Sequence, residues 1–161
     1  MFLPNENGKA GDRMNLLFVC TGNTCRSPMA QGIAQNIAFQ KNFDYKITSA
    51  GIMVDSKSGV SVFSAMALKD FNIDISSHKP IQLTFNHLKD ADIALTMTKS
   101  QKELLINAAP QFKDKIKSLG EYSFQGDIAD PYGCDFSTYK NCALQIKEAV
   151  QNLYERINLN E

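Results

Sequence analysis

Asn15-Leu-Leu-Phe-Val-Cys-Thr-Gly-Asn-Thr-Cys-Arg-Ser-Pro-Met29 decides how the rest of the chain is read. The apolar run Leu16 to Val19 stops abruptly in small and polar residues, and a helical pattern follows. Such a stretch reads as a buried parallel strand feeding a loop and then a helix N-terminus. Cys20 and Arg26 stand on that loop with five residues between them. Gly22 lets the backbone curl, so that the amides from Thr21 through Asn23 and Thr24 to Cys25 can aim inward. The helix adds its own unpaired N–H groups and the positive end of its dipole. The product is a cradle for a tetrahedral oxyanion, in which the planar fork of Arg26 can hold two oxygens.

The same field acts on Cys20. Inward N–H groups and a guanidinium favour its thiolate, and a thiolate beside a bound phosphoryl group is a nucleophile already at its target. Ser27 can donate a hydrogen bond to that sulfur. The loop therefore predicts phosphoryl transfer through a cysteinyl-phosphate. A Cys-x5-Arg pair also arises by chance, and free cysteines are commonly small packing groups. Here the pair lies between a strand and a helix start, and Pro28 suits a first helical turn. That context favours the catalytic reading.

Val19 to Pro28 resembles the signature loop of the low-molecular-weight protein phosphatases, a family with Cys-x5-Arg near the N-terminus and a remote Asp-Pro. The resemblance runs from about Met14 to the C-terminus. It implies an α/β fold, a three-layer αβα sandwich around a central four-stranded parallel sheet of flavodoxin-like type. It also implies phosphorylated protein substrates, inorganic phosphate as product and inhibitor, and a two-step mechanism that requires no metal and no cofactor.

The 161 residues suit one domain with a substantial core. Apolar residues at 43% and charged residues at 21% are ordinary for a soluble globular protein. Lys+Arg and Asp+Glu balance at 17 each, so no global field recruits nucleic acid or a membrane. Any pull on phosphate is local. No apolar stretch approaches the roughly 20 residues of a membrane span. Met1 to Arg13 lacks the apolar segment of a signal peptide and reads as a flexible leader, with one domain from Met14 to Glu161. Cys20, Cys25, Cys134 and Cys142 are expected reduced, in a cytoplasmic monomer. Their spacing matches no structural zinc pattern.

Along the chain, Met29, Ile33, Ile37 and Ala38 mark a helix from Pro28 to about Lys41, and Tyr45 to Ala50 a second strand. Gly59 to Phe71 places Val62, Phe63, Met66, Ala67 and Phe71 on one expected apolar helix face. A loop over Ile73 to Leu83, a short helix over Thr84 to Asp90 and a third strand over Asp92 to Met97 follow. Ser100 to Ala109 is a helix with Pro110 beyond it, and Lys115 to Leu119 a fourth strand. After the long loop Gly120 to Gly133, a closing helix carries Tyr139, Cys142, Ile146, Ala149, Val150 and Leu153 as one stripe. Strands alternating with helices make βαβ units and a doubly wound sheet, whose ligands lie beyond the strands' carboxyl ends.

Transfer to Cys20 needs an acid for the leaving group and then a base for water, and one carboxyl group can serve both. The family takes it from a late Asp-Pro, and here Asp130-Pro131-Tyr132 stands in the loop after the fourth strand. An isolated Asp-Pro is usually a turn. Asp127 is a nearby competitor without the proline. Tyr132 forms a wall of the mouth or covers loop surface, readings of equal weight. Thr24 occupies a position that is a larger aliphatic residue in tyrosine-directed members and threonine in members similar to the protein arginine phosphatases. Asp130 to Lys140 also resembles that subgroup. Phosphoarginine in proteins is therefore the expected substrate, with phosphotyrosine the alternative and a non-catalytic phosphoresidue-binding module a remote one.

Asn23 is expected to shape the loop through side-chain hydrogen bonds. His78 either orients the loop from behind or is a surface residue, the latter being commoner, and His87 reads as surface. Family resemblance favours a redox role for Cys25, a reversible disulfide protecting Cys20. Cys134 and Cys142 read as incidental. An arsenate reductase of this fold needs two mid-chain cysteines, and residues 84–111 hold none. No Gly-x4-Gly-Lys-Ser/Thr follows the first strand, which excludes a nucleotide P-loop.

Overall fold

Strand β1 (Met14–Cys20) is buried on both faces, and its alternating side chains part the molecule into two cores. Leu16, Phe18 and Cys20 join one core, while Leu17 and Val19 join the other. That is the period-two geometry of a strand covered by helices on either side. The chain, described over residues 13–159 in a computed structural model, continues with α1 (Arg26–Gln40), β2 (Tyr45–Gly51), α2 (Val62–Lys69) and α3 (Phe85–Asp90). Then come β3 (Ile93–Thr96), α4 (Lys99–Ala108), β4 (Ile116–Ser118) and α5 (Phe136–Leu159). The leader expected over residues 1–13 lies outside the described residues except for Arg13, which pairs with Asp44 at 2.7 Å.

The four strands are parallel in the order β2-β1-β3-β4. The chain winds from β1 outward to β2, then returns past β1 to β3 and β4. The switch point thus falls between β1 and β3, and Cys20 stands at the carboxyl end of β1 beside it. Helices α1, α2 and α5 cover one face, and all six stripe residues of α5 are buried there. Helices α3 and α4 cover the other through Leu88 and Leu105. The expected sandwich, sheet and element order are those observed.

One expected packing face is corrected in part, since its Ala67 is buried and its Phe71 packs half-buried against the core as expected. Val62 is 71% exposed, Met66 40% and Phe63 37%, whereas α2 buries Ser64, Ala67 and Leu68. This helix has eight residues and is apolar on more than one side. Its period therefore did not single out the face that α1 and α5 would cover.

Candidate active site

The loop after β1 is held in shape by one side chain. Asn23 is fully buried and sits at φ 57°, a left-handed conformation that asparagine tolerates better than most residues. Its Oδ1 accepts the Ile81 N–H at 3.0 Å, and His78 Nε2 lies 3.1 Å from the same oxygen. That orients Nδ2 toward Ser27 Oγ at 2.7 Å and Ser49 Oγ at 3.0 Å, donating to both. Ser49 Oγ in turn donates a hydrogen bond to Gln31 Oε1. Ser27 Oγ, having accepted from Asn23, has its own proton free for Cys20 Sγ, 2.9 Å away. The Asn23 N–H reaches the same sulfur at 3.2 Å. Two donors thus converge on Cys20 Sγ.

Arg26, the first residue of α1, is buried to 5% exposure, and its Nη1 donates to Ile128 O at 2.8 Å. Its Nη2 stands 3.7 Å from Asp130 Oδ2. The Asp130 side chain is 56% exposed, and its Oδ1 accepts the Tyr132 N–H at 3.1 Å. The sequence-distant Asp-Pro is therefore brought to the loop by the same arginine that closes it. Tyr132 is 79% exposed at this edge. Thr24 is half-buried, with its carbonyl accepting the Ser61 N–H at 2.8 Å and its Oγ1 3.6 Å from Cys25 Sγ. The carbonyls of Cys20 and Thr21 accept from Ile52 and Met53, so both flanks of the loop are laced to the segment after β2. Gly51 explains that closeness, since a Cβ there would lie 2.9 Å from Thr21 O and 3.0 Å from Asn23 N.

Several residues depart from their sequence reading. Asp127 faces α4, its Oδ1 accepting the Lys99 N–H at the start of that helix at 3.0 Å. His78 is half-buried against Asn23, not a free surface residue. Burial lowers its pKa below the ordinary imidazole value, which the Asn23 hydrogen bond partly opposes. Tyr139, read only as core, places its hydroxyl 3.7 Å from Cys25 Sγ. Burial raises that phenol's pKa, with a Ser61 hydrogen bond opposing the rise and the Cys25 hydrogen bond adding to it. Cys142 packs under the Asp130 loop, 3.9 Å from Ala129 O, where burial pushes its thiol up to about 12. It stays neutral there. Cys134 is exposed two residues beyond Tyr132. Among the described residues, no three His, Cys, Asp or Glu side chains gather as a metal site.

Gln101 was missed altogether. It is the N3 residue of the Thr98-Lys99-Ser100-Gln101 capping box of α4, a pattern legible in sequence. Its Nε2 also reaches Thr21 Oγ1 at 3.1 Å, a contact across 80 residues that no local pattern announces.

The family of low molecular weight phosphotyrosine protein phosphatases matches residues 15–161. The chain belongs to that family. Its relatives include a protein-arginine-phosphatase of Geobacillus stearothermophilus, 33% identical over 91% of this chain and 97% of that one. The protein-tyrosine-phosphatase PtpB of Staphylococcus aureus is 39% identical over 74% of this chain and 82% of its own. Among solved structures, a mutant of the YwlE arginine phosphatase with a phosphorylated active-site serine superposes with a TM-score of 0.84. It is 30% identical and covers 90% of this chain and 96% of that chain. The protein is accordingly a protein phosphatase, and cysteine-based catalysis is typical of its family. Among the described residues, no helix of the phosphatase is long and apolar enough to cross a membrane.

Proposed function

We propose that this phosphatase hydrolyses phosphoarginine in proteins, with Cys20 as nucleophile, Arg26 as phosphate clamp and Asp130 as acid and base. The observation that carries the chemistry is the convergence of Ser27 and the Asn23 amide on Cys20, with Arg26 bridging toward Asp130. Cys20 attacks phosphorus, a P–S bond forms and the P–N bond breaks, while the loop amides and Arg26 hold the equatorial oxygens. Asp130 gives its proton to the departing guanidine nitrogen. It then takes a proton from water, which attacks phosphorus, breaks the P–S bond and frees inorganic phosphate. The phosphorylated active-site serine of the YwlE mutant supports a covalent phospho-enzyme. In the same reading the chain acts as a cytoplasmic monomer, and Cys25 is the redox partner of Cys20.

Thr24 supports arginine over tyrosine. Its half-buried side chain holds a hydroxyl 3.6 Å from Cys25 Sγ, at the loop position where a larger aliphatic residue would line a slot for a phenyl ring. The similarity to PtpB favours phosphotyrosine as the second reading. The test is kcat/KM on a phosphoarginine protein and a phosphotyrosine peptide, for the wild type and Thr24→Ile. The proposal expects a wild-type preference for phosphoarginine that swings toward phosphotyrosine in the variant. A wild type that prefers phosphotyrosine establishes the second reading instead.

A further inference from the structure

The orientation of one buried amide dictates the polarity of a hydroxyl beside the nucleophile. Gln101 is 8% exposed. Its Oε1 accepts the backbone N–H groups of Met97 at 3.0 Å and Thr98 at 3.1 Å. Both are donors, so the atom facing them is the oxygen, and the NH2 group faces Thr21 Oγ1 at 3.1 Å. Thr21 must therefore accept from Gln101, and its own proton points elsewhere. The Thr21 carbonyl is already tied to the Met53 N–H at 2.8 Å, which holds the residue in place. Thr21 directly follows Cys20, at the carboxyl-end rim of the sheet, and is exposed. A hydroxyl with a free proton at that rim is a donor awaiting an acceptor.

The choice of glutamine is informative. A glutamate serves a capping box equally, and at a helix N-terminus its charge is favourable. Only the amide can cap α4 and also donate to Thr21. We infer that Thr21 donates its hydroxyl hydrogen bond to a phosphoryl oxygen of the substrate, and that Gln101 is the positioning residue that presets it. This rests on the phosphatase reading of the Cys20 loop.

The experiment measures KM and kcat on a small aryl phosphate, the inhibition constant of inorganic phosphate, and the melting temperature. The proteins are the wild type, Thr21→Val, Gln101→Glu and the double variant. Gln101→Glu keeps both acceptor bonds to the turn and loses the donor to Thr21. A bond made to the phosphoryl group in substrate and transition state alike raises KM and leaves kcat in place. Each single variant is expected to raise KM and the phosphate inhibition constant together by about tenfold, the loss of one hydrogen bond to a charged group. The melting temperature of Gln101→Glu should not fall, and the double variant should be no worse than either single one. Wild-type constants in Gln101→Glu would overturn the inference. So would a fall in kcat with its melting temperature, or losses that multiply in the double variant and so report the new charge. Turnover by the wild type reads the parent assignment separately, and its absence would end both.

Discussion

Asn23 illustrates how much one residue can hold. Its side chain donates to two serines and accepts from the Ile81 amide and His78, inside a site without exposure. Asn23→Ala leaves those partners short of hydrogen bonds and strains a left-handed backbone, so thermal or urea unfolding should show a loss of about 2–4 kcal/mol. Asn23→Gly removes the strain alone and should recover only about 1 kcal/mol of it. Recovery of most of the loss by glycine would assign Asn23 to backbone conformation instead. His78 gives a pH signature. Its pKa is lowered in the fold, chiefly by burial, so the unfolded chain binds its proton first as pH falls below about 6.5. The stability associated with neutral His78 is present above that value and declines as pH falls through the window beneath it. Urea midpoints at pH 7 and pH 5 should differ more for the wild type than for His78→Gln, whose amide can still donate to Asn23. Glu121, whose pKa is also lowered by its hydrogen bonds against burial, acts only at lower pH.

At the scale of elements, the site is where the ends of β1, β2 and β3 meet the starts of α1 and α4. Strand β2 approaches so closely that its last residue has no room for a side chain. A Cβ on Gly51 would lie 2.7 Å from a Val54 methyl and 2.9 Å from Thr21 O. The valine can turn, but the loop backbone cannot move without dragging the Cys20 cradle. Gly51→Ala should destabilise by about 1–3 kcal/mol and lower kcat/KM on an aryl phosphate well beyond what its folded fraction explains. Activity proportional to folded protein would show that the cradle tolerates the shift. Helix α4 contributes from the other side. Its capping glutamine touches Thr21, its first amide holds Asp127, and Met97 O accepts the Ile128 N–H two residues before Asp130. The Cys20 loop and the Asp130 loop thus lean on one turn.

For the whole molecule, the balance of 17 acidic and 17 basic residues gives no long-range field for phosphate, so the proposed phosphate binding would rest on the cradle. Binding to the folded state alone should raise stability by mass action. Inorganic phosphate at about 100 times its Kd adds about 2.7 kcal/mol, which for a chain of this length is a rise in Tm of about 5–10 °C. Arg26→Lys replaces a planar fork with a point charge and should lose most of that shift. An equal rise in this variant would place the bound phosphate away from the cradle.

Strand, loop and helix around Cys20, the α5 stripe and the doubly wound order could all be read from the sequence. Each is written in residues close to one another, as an apolar run, a helix start or a helical period, although the left-handed turn of the loop falls at Asn23 and not at Gly22, where the sequence placed it. Asp130 was found through its proline and a resemblance, not through any local rule. Only the tertiary structure shows that Asp130 faces Arg26 while Asp127 faces the start of α4. It also decided which side of α2 is exposed, that His78 backs Asn23, and that Gln101 reaches Thr21. Those outcomes depend on how separate segments pack at the end of the sheet, and contacts across 55 or 80 residues leave no periodic mark on the chain.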